Sequence, residues 1–239
     1  MKLPCWLKHF IVVAGLALSV PAGFAHDAIS AEARKSYLGK LDELHRTAQS
    51  SATPAARAAA RFQTGKILTE IRGLLNEDIM SHGKTQGLET LTLVNQLNAS
   101  PNKLAISSYT KLYLADLQAW RDAIALDPRA KHVTVARFML FKDYFYDSFT
   151  DNPLQPIKED KQTLLEMISL GELLLPMKDA AVDAEEVTFI LAVHYLKAAE
   201  SGALPKAKCQ NRFAELLQKF KNTWADSLKL STLEALSSP

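Results

Sequence analysis

Residues 183–221 read DAEEVTFILAVHYLKAAESGALPKAKCQNRFAELLQKFK. Asp183 has a short acceptor side chain suited to an N-cap. The residues after it predict a helix to about Ala199. Residues 200–206 interrupt the pattern, and Pro205 opens a second helix that runs to Lys221, since proline is tolerated where a helix begins. Phe189, Ala192 and Tyr195 alternate large, small and large on the first helix, and Ala207 and Ala214 stand seven apart on the second. Helices joined by a connection of this kind are expected to pack antiparallel.

The same reading extends in both directions. Downstream, a helix spans Ala225–Leu236. Upstream, Pro176 ends a helix that begins near Lys158, and Thr150–Pro156, with two prolines and an asparagine, is a loop. An aromatic-rich helix covers about Lys131–Phe149, and the one before it covers about Leu104–Leu126 and stops at Asp127-Pro128. Nearer the start, one helix follows Ser30, with Tyr37, Leu38, Leu41 and Leu44 on one face. A second opens at Thr53-Pro54 and stops before Gly83, carrying Ala58, Phe62, Ile67, Leu68, Ile71, Leu74 and Leu75 at close to the helical period. A short helix around Leu88–Leu97 follows, and the polar break Asn98–Asn102 divides a helical region 26–100 from a second region 101–239. Strand-like alternation is nearly absent, so the fold is all-α, with about nine or ten helices in antiparallel hairpins.

The first 25 residues read as a cleavable secretory signal. Lys2 and Lys8 precede the apolar run Phe10–Val20, and Ala25 ends a small-residue exit before His26. The run is too short to cross a hydrocarbon core of ~30 Å as a helix, and no later stretch is long enough either. Cys5 lies ahead of the run rather than after it, so no lipid anchor is expected. The mature protein is therefore expected in the periplasm or outside the cell, with no membrane span. Two of the 28 Lys and Arg residues lie in the leader, leaving 26 against 26 Asp and Glu. A neutral mature chain argues against nucleic acid as a partner. Cys209 alone survives maturation, so no internal disulfide can form and the core must hold the fold. Burial of Cys209 is the expectation, with an intermolecular role as the alternative.

Two segments carry a resemblance. Trp120-Arg121-Asp122-Ala123-Ile124-Ala125-Leu126-Asp127-Pro128 resembles the end of a tetratricopeptide repeat, where a bulky aromatic precedes a small alanine and an Asp-Pro turn. Ala184–Lys221, with Phe220, Trp224 and Asp226-Ser227 after it, is similar to such repeats in envelope proteins. The resemblance covers the C-terminal half. It implies an α-solenoid with a concave face for a protein or peptide. Three departures stand against it. Asp116 sits where a small residue is wanted, the 200–206 loop is expanded, and no period of about 34 residues survives. An irregular helical bundle is the alternative.

No catalytic signature accompanies this pattern, so the reading leans away from an enzyme without deciding it, and no cofactor is expected. There is no Gly-x-Ser-x-Gly, no glycine-rich phosphate loop, no His-Glu-x-x-His and no Cys-x-x-Cys. Asp42-x-x-His45 and Asp78-x-x-x-His82 are not di-iron motifs and read as solvated helix faces. His26, as the mature N-terminus, would offer an amine and an imidazole to Cu(II). His194 reads as a packed histidine. In the aromatic helix, Phe138, Phe141, Phe145 and Phe149 form a core stripe, while Asp143 and Asp147 share a face beside Tyr144 and Tyr146. These four are the candidate groove for a peptide amine or basic side chain. The expected function is an exported protein- or peptide-binding adaptor. Its rival is a metal-binding or enzymatic helical bundle with a site no motif reveals.

Overall fold

The structure, a computed structural model, describes residues 31–51, 53–82, 109–149 and 160–237. The leader, Ser30, His26, the short helix near 88–97, the break at 98–102 and the loop at 150–156 lie outside the described residues. Eight helices are present among those described, and no strand: α1 (Ala31–Ser50), α2 (Pro54–His82), α3 (Tyr109–Leu126), α4 (Val133–Phe149), α5 (Lys161–Leu174), α6 (Ala184–Ser201), α7 (Lys206–Thr223) and α8 (Leu228–Ser237). The fold is all-α. The chain divides into two compact units that meet in sequence between Ala136 and Arg137, within α4.

In the N-terminal unit, α2 packs against both α1 and α3. Pro54 starts α2, as its fixed φ and missing N–H allow. α1 and α2 pack along each other with so few residues between their ends that they run antiparallel. The Tyr37 hydroxyl on α1 donates to Glu70 Oε1 on α2 at 2.6 Å, which sets their register. Leu41 and Ala48 of α1, about two helical turns apart along the same face, are buried, as are Ala58, Leu68 and Ile71 of α2. From α3, Leu117, Trp120 and Ala123 complete this core. Trp120 fills the interface so closely that a Cβ on Gly65 would stand 2.8 Å from its ring carbons. The edge of the Phe62 ring meets the same indole, with centroids 5.5 Å apart. α3 ends at Leu126, and the Asp127 carboxylate accepts from the Arg129 N–H at 3.2 Å in the turn that follows.

Asp116 occupies the position where repeat packing would want a small residue, and it is fully buried. Arg72 of α2, itself buried, answers it at 3.2 Å, and Thr69 donates to the same oxygen at 3.3 Å. A charge is tolerated there because its counter-charge comes from the neighbouring helix.

The C-terminal unit is built around α6, in which every residue from Glu186 to Tyr195 is buried. A helix apolar all round belongs inside, and α6 packs on α5, α7 and α8. Phe145 of α4 reaches Phe189 and His194 of α6, and Phe141 reaches His194. Phe138, Phe141 and Phe145 are core, as their spacing predicts; the side chain of Phe149 is outside the described residues. Asp183 caps α6, accepting from the N–H groups of Glu185 and Glu186 at 3.0 and 3.1 Å. Asp160 caps α5 through the Thr163 N–H at 2.8 Å. Gly202, at φ 65°, ends α6 in the left-handed conformation that glycine adopts without steric cost. α7 is amphipathic, burying Cys209, Phe213, Leu216 and Phe220. Ala207 and Ala214 face solvent, so the small residues seven apart are not where helices meet. Cys209 is a core residue, and burial pushes its thiol pKa up. Among the described residues, no helix is long and apolar enough to cross a membrane.

Candidate functional site

The acidic and tyrosyl face expected on α4 is only partly open. Asp143 and Tyr144 are buried, at 6% and 3% exposure, so they do not line an open groove. The buried arc of α4 is wider than one stripe and takes in Leu140, Asp143 and Tyr144 beside the phenylalanines. Tyr146 is half-buried and donates its hydroxyl to Glu186 of α6. The side chain of Asp147 lies outside the described residues.

Tyr146 belongs to a polar cluster that joins three helices. Glu186 accepts from Tyr146 through one carboxylate oxygen and from Lys229 of α8 through the other. Lys229 also stands 3.8 Å from Glu185 Oε1, to which the Ser227 hydroxyl donates at 2.6 Å. Burial, then the charge and hydrogen bond of Glu186, raise the Tyr146 phenol pKa strongly, so it stays neutral. A second cluster joins α5, α6 and α7. Arg212 grips Glu172 with two parallel bonds of 2.8 and 2.7 Å, and Tyr195 donates to the same carboxylate at 2.9 Å. Burial would raise the Glu172 pKa, but the bonds from Arg212 and Tyr195 outweigh it and hold it below the usual value. Both clusters fasten helices together, and their carboxylates are already satisfied.

His194 is packed, as its place on α6 suggests. It has no exposed surface, lies among the rings of Phe141, Tyr144 and Phe145, and burial holds its pKa well below the ordinary value. Among the described residues, no group of three or more His, Cys, Asp or Glu is placed to hold a metal ion. His26 is not among them.

Among the described residues, a feature open to a ligand lies in the N-terminal unit, where α1 and α2 flank a groove of about 580 Å³. Tyr37 and Leu44 from α1 and Ile67 from α2 present half-buried apolar surface along it. Lys40 and Glu43 of α1 and Lys66 and Glu70 of α2 line it as well, all four exposed. The Tyr37–Glu70 bond crosses it about a turn in from Ala33, and burial together with Glu70 raises the phenol pKa to about 12. Counting inward from that bond along antiparallel helices, Lys40 comes level with Lys66 and Ile67, and Leu44 with Gln63. Among the described residues, neither lysine is held in an ion pair. Sequence reasoning placed Tyr37, Leu44 and Ile67 on core faces, and their apolar character was the available signal. Lys40 and Lys66 look like any solvated helix charge until the two helices are set side by side.

Against protein-family models, curated proteins and solved structures alike, nothing matches this chain.

Proposed function

We propose that this protein is exported by its N-terminal signal, matures by cleavage after Ala25, and acts in the cell envelope as a helical-repeat adaptor that binds a protein or peptide. The observation that supports binding is the α1–α2 groove, where half-buried apolar side chains and uncommitted charges meet in one open cleft. That mixture resembles a recognition surface in composition: apolar groups supply affinity and charges supply selectivity. The polar clusters of the C-terminal unit, by contrast, are internally satisfied. In this reading they hold the C-terminal unit together. The helical hairpin α6–α7 and the interface residues Trp120 and Ala123 fit a solenoid of the tetratricopeptide kind, and the exposed Ala207 and Ala214 mark an irregular version of it.

Site-specific photocrosslinking in cells tests this. A photoreactive residue at Ser36, in the groove, is compared with one at the exposed Gln210 on α7. The expected result is a discrete adduct from Ser36 alone, abolished when Gln63→Trp fills the groove. Identical adducts from both positions, or persistence in the filled variant, would remove the adaptor assignment. Mass spectrometry of the same purified protein reads the N-terminus. A chain retaining residues 1–25 in the envelope fraction would remove the cleavage assignment.

A further inference from the structure

The charges of the groove are ordered, and the order specifies an occupant. Toward one end, about a turn in from Ala33, Glu70 receives the Tyr37 hydroxyl on Oε1. One helical turn further in, Lys40 and Lys66 face the groove from opposite walls. About a turn beyond them comes Glu43, beside Leu44. The sequence of charge along the cleft is therefore negative, doubly positive, negative. Neither lysine is committed to a partner within the chain among the described residues, and Glu43 is in no ion pair there. Each of these groups is exposed, so they tune selectivity and register more than total affinity.

The length of the cleft constrains the ligand further. From Ala33 to Leu44 the lining of α1 covers about three helical turns, or roughly 16 Å. Two antiparallel helices leave between them the kind of furrow into which a third helix packs by its side-chain ridges. Leu44, Ile67 and Tyr37 offer apolar contacts at successive levels of that furrow. Resting on the adaptor reading above, we infer that the groove binds an amphipathic α-helix of a partner protein whose docking face carries an acidic residue flanked by a basic residue one turn to either side. The central acid lies between Lys40 and Lys66. The two bases reach Glu43 and the free oxygen of Glu70. The apolar residues of the ligand helix settle on Leu44, Ile67 and the Tyr37 ring.

Two lactam-bridged, fluorescein-labelled helical peptides of about 16 residues test this. Both carry the same leucine stripe. One has Glu at the centre and Lys one turn away on each side; the other has these charges inverted. Fluorescence anisotropy is measured with the full mature chain and with its K40E/K66E variant. Both lysines are exposed, so the variant is expected to keep the far-ultraviolet circular dichroism of the parent, and that spectrum is recorded as a control. The expected result is about tenfold tighter binding of the Glu-centred peptide by the parent, with the preference lost in the variant, whose acidic centre repels the central Glu while Glu43 and Glu70 still attract the flanking Lys. Equal binding of the two peptides by the parent, a preference kept in the variant, or no binding of either by the parent overturns the inference. A groove-dependent crosslink at Ser36 together with no discrimination between the peptides would leave the adaptor reading standing and this one fallen. Loss of the crosslink would remove the adaptor reading first.

Discussion

Trp120 and Gly65 are packed to the limit of contact: three indole carbons lie 2.8 Å from where a Cβ on Gly65 would be. Gly73, on the same helix, has nothing within 4 Å of its own Cβ position. The two glycines therefore respond to alanine in opposite directions. Gly73→Ala gains helix propensity and is expected to stabilise by about 0.5–1 kcal/mol. Gly65→Ala makes the same gain but must displace a fully buried ring, and is expected to destabilise by about 1–2 kcal/mol net. Urea unfolding of the two variants decides this, and equal shifts of one sign would refute the packing argument.

The Arg72–Asp116 pair is buried, so its halves are not independent. Asp116→Ala leaves the Arg72 charge without its principal counter-charge and is expected to cost about 3–5 kcal/mol. Replacing both, as Arg72→Met with Asp116→Leu, removes the desolvation of two charges and should recover most of that loss. The double-mutant cycle measures it by denaturant midpoint. Additive losses would show that the pair does not act as a unit.

Lys229 and Lys221 each reach a glutamate, in different surroundings. Glu186 is buried, and without Lys229 it keeps Tyr146 alone as a neutral donor. Lys229→Met is expected to cost about 2–3 kcal/mol and to loosen α8. The Lys221–Glu234 pair, at 2.9 Å, joins two exposed side chains, and Lys221→Met should change stability by less than about 0.5 kcal/mol. Hydrogen exchange of α8 amides separates the cases, since only the Lys229 variant should exchange faster.

His194 makes the fold sensitive to mild acid. Its ring is neutral when folded because burial depresses its pKa well below the ordinary imidazole value, with Lys197 adding a smaller effect of the same sign. The unfolded chain binds a proton there that the folded chain does not. Stability from this group is therefore intact above about pH 6.5 and falls as the pH drops, by up to about 1.4 kcal/mol per unit. Glu172, whose folded pKa is lowered, adds its own loss only below 4.5. Melting temperatures between about pH 7 and pH 5 should fall for the parent and stay nearly level for His194→Leu. Parallel profiles would place the acid sensitivity elsewhere.

The helices were legible because their signals are local. Asp183, Pro54 and the Asp127-Pro128 turn act on backbone groups within about four residues, so each states its boundary without help from the rest of the chain, whereas the helix read as beginning near Lys158 starts at Lys161 behind the Asp160 cap. The aromatic spacing on α4 likewise named Phe138, Phe141 and Phe145 as core. Periodicity did not give the width of the buried face. Asp143 and Tyr144 read as surface because charge and hydroxyl ordinarily seek water, and they are interior because α4 is covered over a broad arc. Ala207 and Ala214 resemble the two small residues of a repeat helix, yet the apolar stripe of Cys209, Phe213, Leu216 and Phe220 takes the inner face of α7.

By itself, then, the sequence determined an all-helical chain, most of its helix ends and the aromatic core of α4. Only the tertiary structure decided which polar residues are interior and which are free. It paired Asp116 with Arg72, sealed His194 among rings, and closed Glu186 between Tyr146 and Lys229. It also set α1 beside α2 so that Lys40 and Lys66 face one groove. The reason is range. A helix cap is satisfied by neighbours in the chain, whereas the cost of a charge depends on how much water and which counter-charge remain after distant helices have packed around it.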